Sequence, residues 1–358
     1  MKILTVIGAR PQFIKAAVVS RAFVEHRPDV REVLVHTGQH YDANMSNVFF
    51  DELNIPHPDY NLGIGGGTHG QNTGRMIEKL EELMLSEKPD WVLVYGDTDS
   101  TLAGALAAAK LHIPVAHVEA GLRSHNRRMP EEINRVLTDH VSTLLFAPTE
   151  TALQNLRTEG IADAKVQVVG DVMYDAALYY KGRARKPEWF DALNIALNEF
   201  VLCTIHRAEN TDDPVRMRGI FDGLERAGLP VILPLHPRTR NKLQQMNLEP
   251  PTNIHVVEPV GYLEMVWLEA NCKLVATDSG GVQKEAYFHQ KPCVTLRDET
   301  EWVELVEGGF NMLVGADAYK INSAINKNIK LDFLSLLYGD GQSSRSITAT
   351  LKKPNAEL

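Results

Sequence analysis

Four short blocks place ionisable side chains directly after apolar, β-branched runs: Gly96-Asp97-Thr98-Asp99, His117-Val118-Glu119-Ala120-Gly121-Leu122-Arg123, Met129-Pro130-Glu131-Glu132-Ile133-Asn134-Arg135 and Cys203-Thr204-Ile205-His206-Arg207. Carboxylates at the mouths of buried strands are placed for general acid–base work, and His206 can carry a proton near neutral pH. A fifth block, Thr277-Asp278-Ser279-Gly280-Gly281, ends an apolar run and opens a helical pattern. Ser279 suits an N-cap, and Gly280 and Gly281 remove the side chains that would keep a diphosphate from the first-turn amides. Glu285, about a turn further in, offers an acceptor to a ribose diol. Arg10 and Lys15 sit where an anion can be reached from a helix start. Each block also has a plain structural reading: a tight strand–helix junction, an N-cap for Asp97, first-turn acids for Glu131 and Glu132, a solvated pair for Arg10 and Lys15, a structural histidine for His206 and His236. Spacing alone does not choose. Asp97-Thr98-Asp99 mimics a D-x-D metal motif, but Asp99 would fall in the first turn of a helix, and no Cys/His/Asp spacing resembles a metal site. No metal is expected.

The elements that must carry these blocks alternate between strand-like and helical patterns. Ile3-Ile7, Val33-His36, Trp91-Tyr95, Val115-Val118, Leu144-Ala147 and Val166-Val169 read as strands, separated by amphipathic stretches such as Gly74-Leu85 and Glu131-Val141. The series restarts with Phe200-Ile205, Val231-Leu235, Ile254-Val257, Leu274-Thr277 and Cys293-Leu296, with helices near Val215-Ala227, Tyr262-Ala270 and Gly281-His289. Such alternation predicts α/β architecture with two doubly wound parallel sheets, one domain over 1–180 and a second over 181–339. The least periodic stretch, Lys181-Asn198, is where a hinge is expected. Open α/β sheets bind ligands at their strand carboxyl ends, so the two halves are expected to face a shared cleft. The first βα turn, Gly8-Ala9-Arg10-Pro11-Gln12, lacks the G-x-G-x-x-G dinucleotide fingerprint. NAD is not expected, nor any other cofactor.

Composition sets the outer limits. The 358 residues carry a formal charge of −9, against a general nucleic-acid surface, with 44% hydrophobic and 23% charged residues, as in globular proteins. The apolar start is broken by Arg10, Pro11, Gln12 and Lys15, too early for a signal peptide, and no run reaches the ~18 apolar residues of a membrane helix. Cys203, Cys272 and Cys293 read as reduced core thiols, so a cytoplasmic protein without a membrane partner is expected.

Together the blocks resemble the non-hydrolysing UDP-N-acetylglucosamine 2-epimerase family. The match runs from Gly8-Ala9-Arg10-Pro11 to Tyr338-Gly339-Asp340-Gly341-Gln342, and its most specific blocks are Tyr95-Gly96-Asp97-Thr98, His117 to Arg123, Pro130-Glu131-Glu132, His206-Arg207 and Thr277 to Gln283. The resemblance implies two Rossmann-like domains of GT-B-like architecture, with a C-terminal helix (about 340–358) crossing back to the first, and a homodimer. It implies removal of the C2 proton, anti elimination of UDP, and re-addition with the proton returned to the other face. By position Asp97, Glu119, Glu131 and His206 match its catalytic residues, and Arg10, Lys15, Ser279, Gly280, Gly281 and Glu285 its UDP-binding residues. Gln39, Arg207 and His236 match a second, activating substrate site of some members, where Asp42 departs from the usual Gln.

Two further departures bear on the sugar. Arg10-Pro11-Gln12 replaces R-P-E, and Glu301-Trp302-Val303-Glu304 replaces E-R-P-E, so that Trp302 stands for a substrate-binding arginine. With Thr68-His69-Gly70-Gln71, His206 to Pro214 and Val260-Gly261-Tyr262-Leu263-Glu264, these variants resemble the subgroup acting on UDP-2,3-diacetamido-2,3-dideoxyglucuronic acid, which makes the manno sugar for lipopolysaccharide O-antigen. UDP-N-acetylglucosamine is the alternative sugar. A GT-B glycosyltransferase or a hydrolysing epimerase would share the fold, whereas a sugar-nucleotide sensor would have no use for three carboxylates and a histidine around one ligand.

Overall fold

The computed structural model describes residues 1–38, 53, 55–235, 237–327, 331–333 and 336–354. It divides into two compact units, Met1–Ala176 with Leu336–Leu358, and Ala177–Ser335. In the first, β1 (Lys2–Ile7), β2 (Arg31–His36), β3 (Tyr60–Asn61), β4 (Trp91–Tyr95), β5 (Val115–Val118), β6 (Leu144–Ala147) and β7 (Val166–Val168) form one parallel sheet in the order β3-β2-β1-β4-β5-β6-β7. In the second, β8 (Val201–Thr204), β9 (Val231–Pro234), β10 (Ile254–Val257), β11 (Leu274–Thr277), β12 (Cys293–Thr295) and β13 (Asn311–Leu313) give the order β10-β9-β8-β11-β12-β13, again all parallel. Each sheet reverses its winding at one place, between β1 and β4 and between β8 and β11. The two are Rossmann-like, doubly wound units.

Every run expected to be a strand is one. β3 and β13 were not expected: two or three residues carry no periodicity, and only pairing makes them strands, Tyr60 against Val35 and Asn311 against Cys293. The cores follow the pleat. Leu4, Val6, Val92 and Val94 share one sheet face with Ala103, Ala107, Met76 and Leu80 of the helices Asp99–Lys110 and His69–Glu87. In the second unit, Val201, Cys203, Leu274 and Ala276 pack on Met217, Ile220, Phe221 and Leu224, while Leu202, Ile232 and Val275 pack on Phe190, Phe200 and Leu268. Each fully buried Val, Leu, Ile, Phe or Met side chain contributes ~1.5–3 kcal/mol. The stretch Lys181-Asn198 lies in the second unit, where Phe190 joins the core and Trp189, Leu193 and Ile195 pack against it; the unit boundary falls earlier, inside the helix Val172–Lys181. All three cysteines are buried and free, and burial pushes their thiols up. No helix among the described residues is long and apolar enough to cross a membrane.

The C-terminal helix, Ser343–Thr350, packs on the helix Arg10–His26 of the first unit. Its own N-cap, Gln342, makes no side-chain cap bond. Asp175, from a helix 168 residues earlier, does that work: it accepts from Ser343 N (3.1 Å), Ser344 N (2.7 Å) and Ser344 Oγ (2.6 Å). At the other end Arg27 Nη1 donates to the carbonyls of Thr348 and Leu351, both at 2.8 Å. Orphan groups at both ends are thus satisfied by side chains distant in sequence. Replacing Asp175 with Ala is expected to destabilise the protein by about 1–3 kcal/mol and to speed amide exchange in 343–350 first. Urea titration and hydrogen exchange check this; unchanged protection in that helix would refute the capping role.

Candidate functional site

The first unit gathers its ionisable side chains after β1, β4 and β5. Gly8 must be glycine, because a Cβ there would meet Ser100 Oγ at 2.0 Å and Thr37 Oγ1 at 2.3 Å. Gln12, buried, ties the turns after β1 and β4 together. Its Oε1 accepts from Gly8 N (2.8 Å) and Ala9 N (3.0 Å), and its Nε2 donates to Tyr95 O (2.7 Å), Thr98 Oγ1 (3.0 Å) and Thr101 Oγ1 (2.9 Å). A carboxylate in its place could not donate to the Tyr95 carbonyl. Asp97 is released from capping, since Thr98 is the N-cap of the helix Asp99–Lys110 and accepts from Thr101 N. The Asp97 carboxylate instead pairs with the Arg135 guanidinium, and its carbonyl accepts from Asn134 Nδ2 at 3.0 Å. Asp99 is buried and held by Asn134 (3.1 Å) and His69 (2.9 Å).

Glu119 follows β5 with φ 71°, a left-handed conformation that costs a non-glycine residue ~1–3 kcal/mol. Its carboxylate pairs with the Lys15 ammonium, and both ends lie over the bare α-carbon of Gly96: a Cβ there would stand 3.3 Å from Glu119 Oε2 and 3.5 Å from Lys15 Nζ. Glu131 and Glu132 are adjacent in sequence and opposite in environment. Glu132 is buried and accepts from Ser124 N (2.9 Å), Ser124 Oγ (3.0 Å) and His125 N (3.0 Å), with Arg135 at 3.2 Å. Burial alone would raise its carboxyl, but those hydrogen bonds and the Arg135 charge hold it below its usual value. Glu131 is exposed and has no such network among the described residues. Pro130 at the first helical position sets the entry, so the helix turn itself decides which acid is structural and which is available.

In the second unit the site residues follow β8 and β11, neighbours across the winding reversal. Asp278 is fully buried and organises the local backbone. It accepts from His206 N (3.1 Å), Arg207 N (3.0 Å) and Asn210 Nδ2 (3.1 Å), with His206 Nδ1 at 3.2 Å. Burial works to raise its carboxyl, yet the His206 and Asn210 bonds keep it below the ordinary range. The His206 ring is thereby oriented with its side chain 54% exposed, open to a ligand. Ser279 caps the helix Gly280–Phe288, accepting from Val282 N at 3.5 Å. Among the described residues a Cβ added to Gly281 would meet only Ser279 Oγ, at 3.9 Å, which leaves room for an anion at the first-turn amides, while a Cβ on Gly280 would strike Glu301 Oε1 at 2.2 Å. Glu301 is held by Arg297 at 2.8 Å.

Arg10 is exposed at the start of its helix, Glu285 is half-buried on the helix Gly280–Phe288, and Arg207 is half-buried beside Asp278. Trp302 is only 4% exposed, with its indole beside Gly280 and the Lys284 ammonium 4.2 Å from its ring centroid. Gln39 and His236, with Asp42, lie outside the described residues. Sequence reasoning missed Asp278 as the anchor of His206, Gln12 as a clamp, and Arg135 and Asn134 as partners of the acidic turns. The i, i+3 spacing of Glu132 and Arg135 was the one available signal.

Residues 22–352 match the family model described as UDP-N-acetylglucosamine 2-epimerase. The chain belongs to the UDP-N-acetylglucosamine 2-epimerase family. Its fold is of the GT-B-like class of two Rossmann-like units, and it is an isomerase. Among relatives, the UDP-2,3-diacetamido-2,3-dideoxy-D-glucuronate 2-epimerase of Pseudomonas aeruginosa is 56% identical over 99% of this chain and 100% of its own length. The UDP-N-acetylglucosamine 2-epimerase of Methanocaldococcus jannaschii is 47% identical over 98% and 99%. The crystal structure of the Methanocaldococcus jannaschii UDP-GlcNAc 2-epimerase in complex with UDP-GlcNAc and UDP is similar to this chain with a TM-score of 0.85 at 46% identity, covering 98% of this chain and 99% of that one.

For this epimerase-family chain the Asp278 arrangement sets a pH-dependent contribution. Its folded carboxyl lies below the ordinary 3.8, so the stabilisation is complete above that value and is lost as pH falls through the folded one. Asp278→Asn is expected to cost about 1.5–3 kcal/mol near neutral pH, and its deficit against the parent should shrink below about pH 4. Urea unfolding of both proteins at the two pH values checks it; a deficit that does not narrow in acid would be inconsistent with the ionised anchor.

Proposed function

We propose that this protein epimerises C2 of a UDP-linked 2-acetamido sugar by anti elimination of UDP and re-addition, and that its sugar is UDP-2,3-diacetamido-2,3-dideoxy-D-glucuronate, gluco to manno, for O-antigen assembly. The observation that carries the sugar assignment is full-length 56% identity to the Pseudomonas aeruginosa enzyme of that name, above the 47% shared with a UDP-N-acetylglucosamine 2-epimerase. The chemistry demands groups of the kinds found here. A C2–H not adjacent to a carbonyl is a poor acid, so its removal needs a placed base and charge stabilisation on the departing diphosphate. Asp97, Glu119 and Glu131 are the carboxylates we assign to proton removal and return. Two of them stand beside a cation: Asp97 beside Arg135 and Glu119 beside Lys15.

In this reading Ser279, Gly280 and Gly281 bind UDP through the helix amides and Glu285 through the ribose, Arg10 and Lys15 belong to the same UDP-binding set, and His206 is the catalytic histidine. Trp302 shapes the sugar site from beside Gly280. A homodimer is part of the same reading, on the family resemblance, and a cytoplasmic setting is supported by three buried free thiols.

Incubation with each candidate UDP-sugar in D2O, followed by NMR at C2, tests the function. Deuterium at C2 with a gluco/manno mixture is expected, and fastest with the diacetamido glucuronate; faster turnover of UDP-N-acetylglucosamine reassigns the sugar, net UDP release marks a hydrolase, and no exchange with any sugar ends the epimerase reading. Trp302→Arg alone would set two cations together in a buried place, because Lys284 already lies on that ring. The double variant Trp302→Arg, Lys284→Glu supplies a counter-charge and is expected to move the kcat/KM ratio roughly tenfold toward UDP-N-acetylglucosamine. A ratio unchanged in the double variant removes Trp302 from specificity.

A further inference from the structure

One buried cluster in the first unit has no part in the chemistry assigned above. His117, on β5, is fully buried, and both of its ring nitrogens are engaged. Nε2 lies 2.7 Å from the Gly96 carbonyl and Nδ1 lies 2.7 Å from Asp139 Oδ1. A backbone carbonyl can only accept, so Nε2 carries a hydrogen. Asp139, also fully buried in its side chain, accepts in addition from Gly121 N at 3.1 Å and pairs with Arg123 Nη1 at 2.8 Å. Burial acts to raise the Asp139 carboxyl, but the bond from His117 and the His117 and Arg123 charges outweigh it and keep it low. Because Asp139 is paired with the Arg123 guanidinium and accepts the Gly121 amide, its carboxylate faces donors on those sides, and Nδ1 faces it as a donor as well. Arg123 is fixed from behind by Glu159, 2.7 Å from both Nε and Nη2, and Glu159 also meets His140 at 3.2 Å.

This cluster bonds two of the three backbone positions that the acidic turns depend on, Gly96 and Gly121. Gly96 precedes Asp97, Glu119 lies two residues beyond His117, and Gly121 closes the second turn. All three are left-handed, with φ of 62°, 71° and 82°. Gly121 tolerates no side chain, since a Cβ would meet Ala152 O at 2.4 Å. Glu119, which lacks glycine's freedom, persists in that conformation only because its surroundings fix it.

We propose that His117, donating from both ring nitrogens, is the positioning residue for both acidic turns. Its Nε2–H holds the Gly96 carbonyl and with it the approach to Asp97; its Nδ1–H orients Asp139, which holds the Gly121 amide and closes the turn of Glu119. One side chain thus sets the separation of two carboxylates that must act on the same carbon from their two turns. The proposal rests on the assignment of Asp97 and Glu119 to proton transfer at C2.

The test uses the full chain with 15N-labelled histidine, and the His117→Gln, His117→Phe and Asp139→Asn variants. In the parent near neutral pH, both His117 ring nitrogens are expected to carry hydrogens, in signals that disappear in the His117 variants. UDP binding by calorimetry should be retained in the variants, KM little changed, and kcat together with C2 deuterium exchange lowered by about 100-fold for His117→Phe. His117→Gln, whose amide can still donate to Gly96 O, should recover part of that loss. A parent spectrum with an unprotonated His117 nitrogen would overturn the proposal, as would a folded His117→Phe with parental kcat. A parent that binds UDP but exchanges no C2 proton would sink the epimerase reading instead, and the ring-nitrogen spectrum would still report on the His117 geometry.

Discussion

Parallel strands cannot be joined by short turns, and that constraint governs everything else in the protein. Each strand must be followed by a crossover, so each parallel sheet collects at its carboxyl edge the turns that lead into helices. Where the winding reverses, between β1 and β4 and again between β8 and β11, the neighbouring crossovers leave in opposite directions and their turns are not covered by one another. Lys15 belongs to the helix after β1, Asp97 to the turn after β4, His206 to the turn after β8 and Ser279 to the turn after β11. These four residues are thus placed at the two reversals by topology before any side chain makes a contact.

Buried carboxylates then convert those turns from flexible connections into fixed geometry. Asp278, Asp139 and Glu132 are each withdrawn from solvent, each held below the ordinary carboxylate range by local donors, and each accepts from a backbone amide of a neighbouring turn: Arg207, Gly121 and His125. A charge-assisted bond in such surroundings is stronger than one in water, and an unpaired carboxylate there would be strongly unfavourable. The exposed members, Glu131 and the His206 ring, are left available because a buried neighbour carries the structural duty. The acids that look alike in sequence divide by environment into holders and actors.

Much of this was legible in the residues. Alternating apolar runs gave both sheets, because a parallel strand buried on two faces has to be a continuous β-branched run. Ser279 before Gly280 and Gly281 announced a capped, open helix start, since only a small side-chain acceptor and bare α-carbons satisfy both demands. The blocks around Asp97, Glu119 and His206 announced the family. Where sequence failed, the reason was long-range contact. Nothing near Asp175 marks it as the cap of a helix 168 residues later, and the two-residue strand Tyr60–Asn61 exists only through its partner.

By itself the sequence determined two doubly wound α/β units, the residue types at their carboxyl edges, and membership of an epimerase family, because periodicity, capping and local motif spacing are properties of neighbours along the chain. Tertiary structure alone decided that Lys15 meets Glu119, that Arg135 takes Asp97, that Glu132 is an anchor and Glu131 is not, and that Trp302 lies under an ammonium rather than open to solvent. Those outcomes depend on which groups lose their water and which charges then stand beside them, and burial of that kind is settled only when distant segments pack.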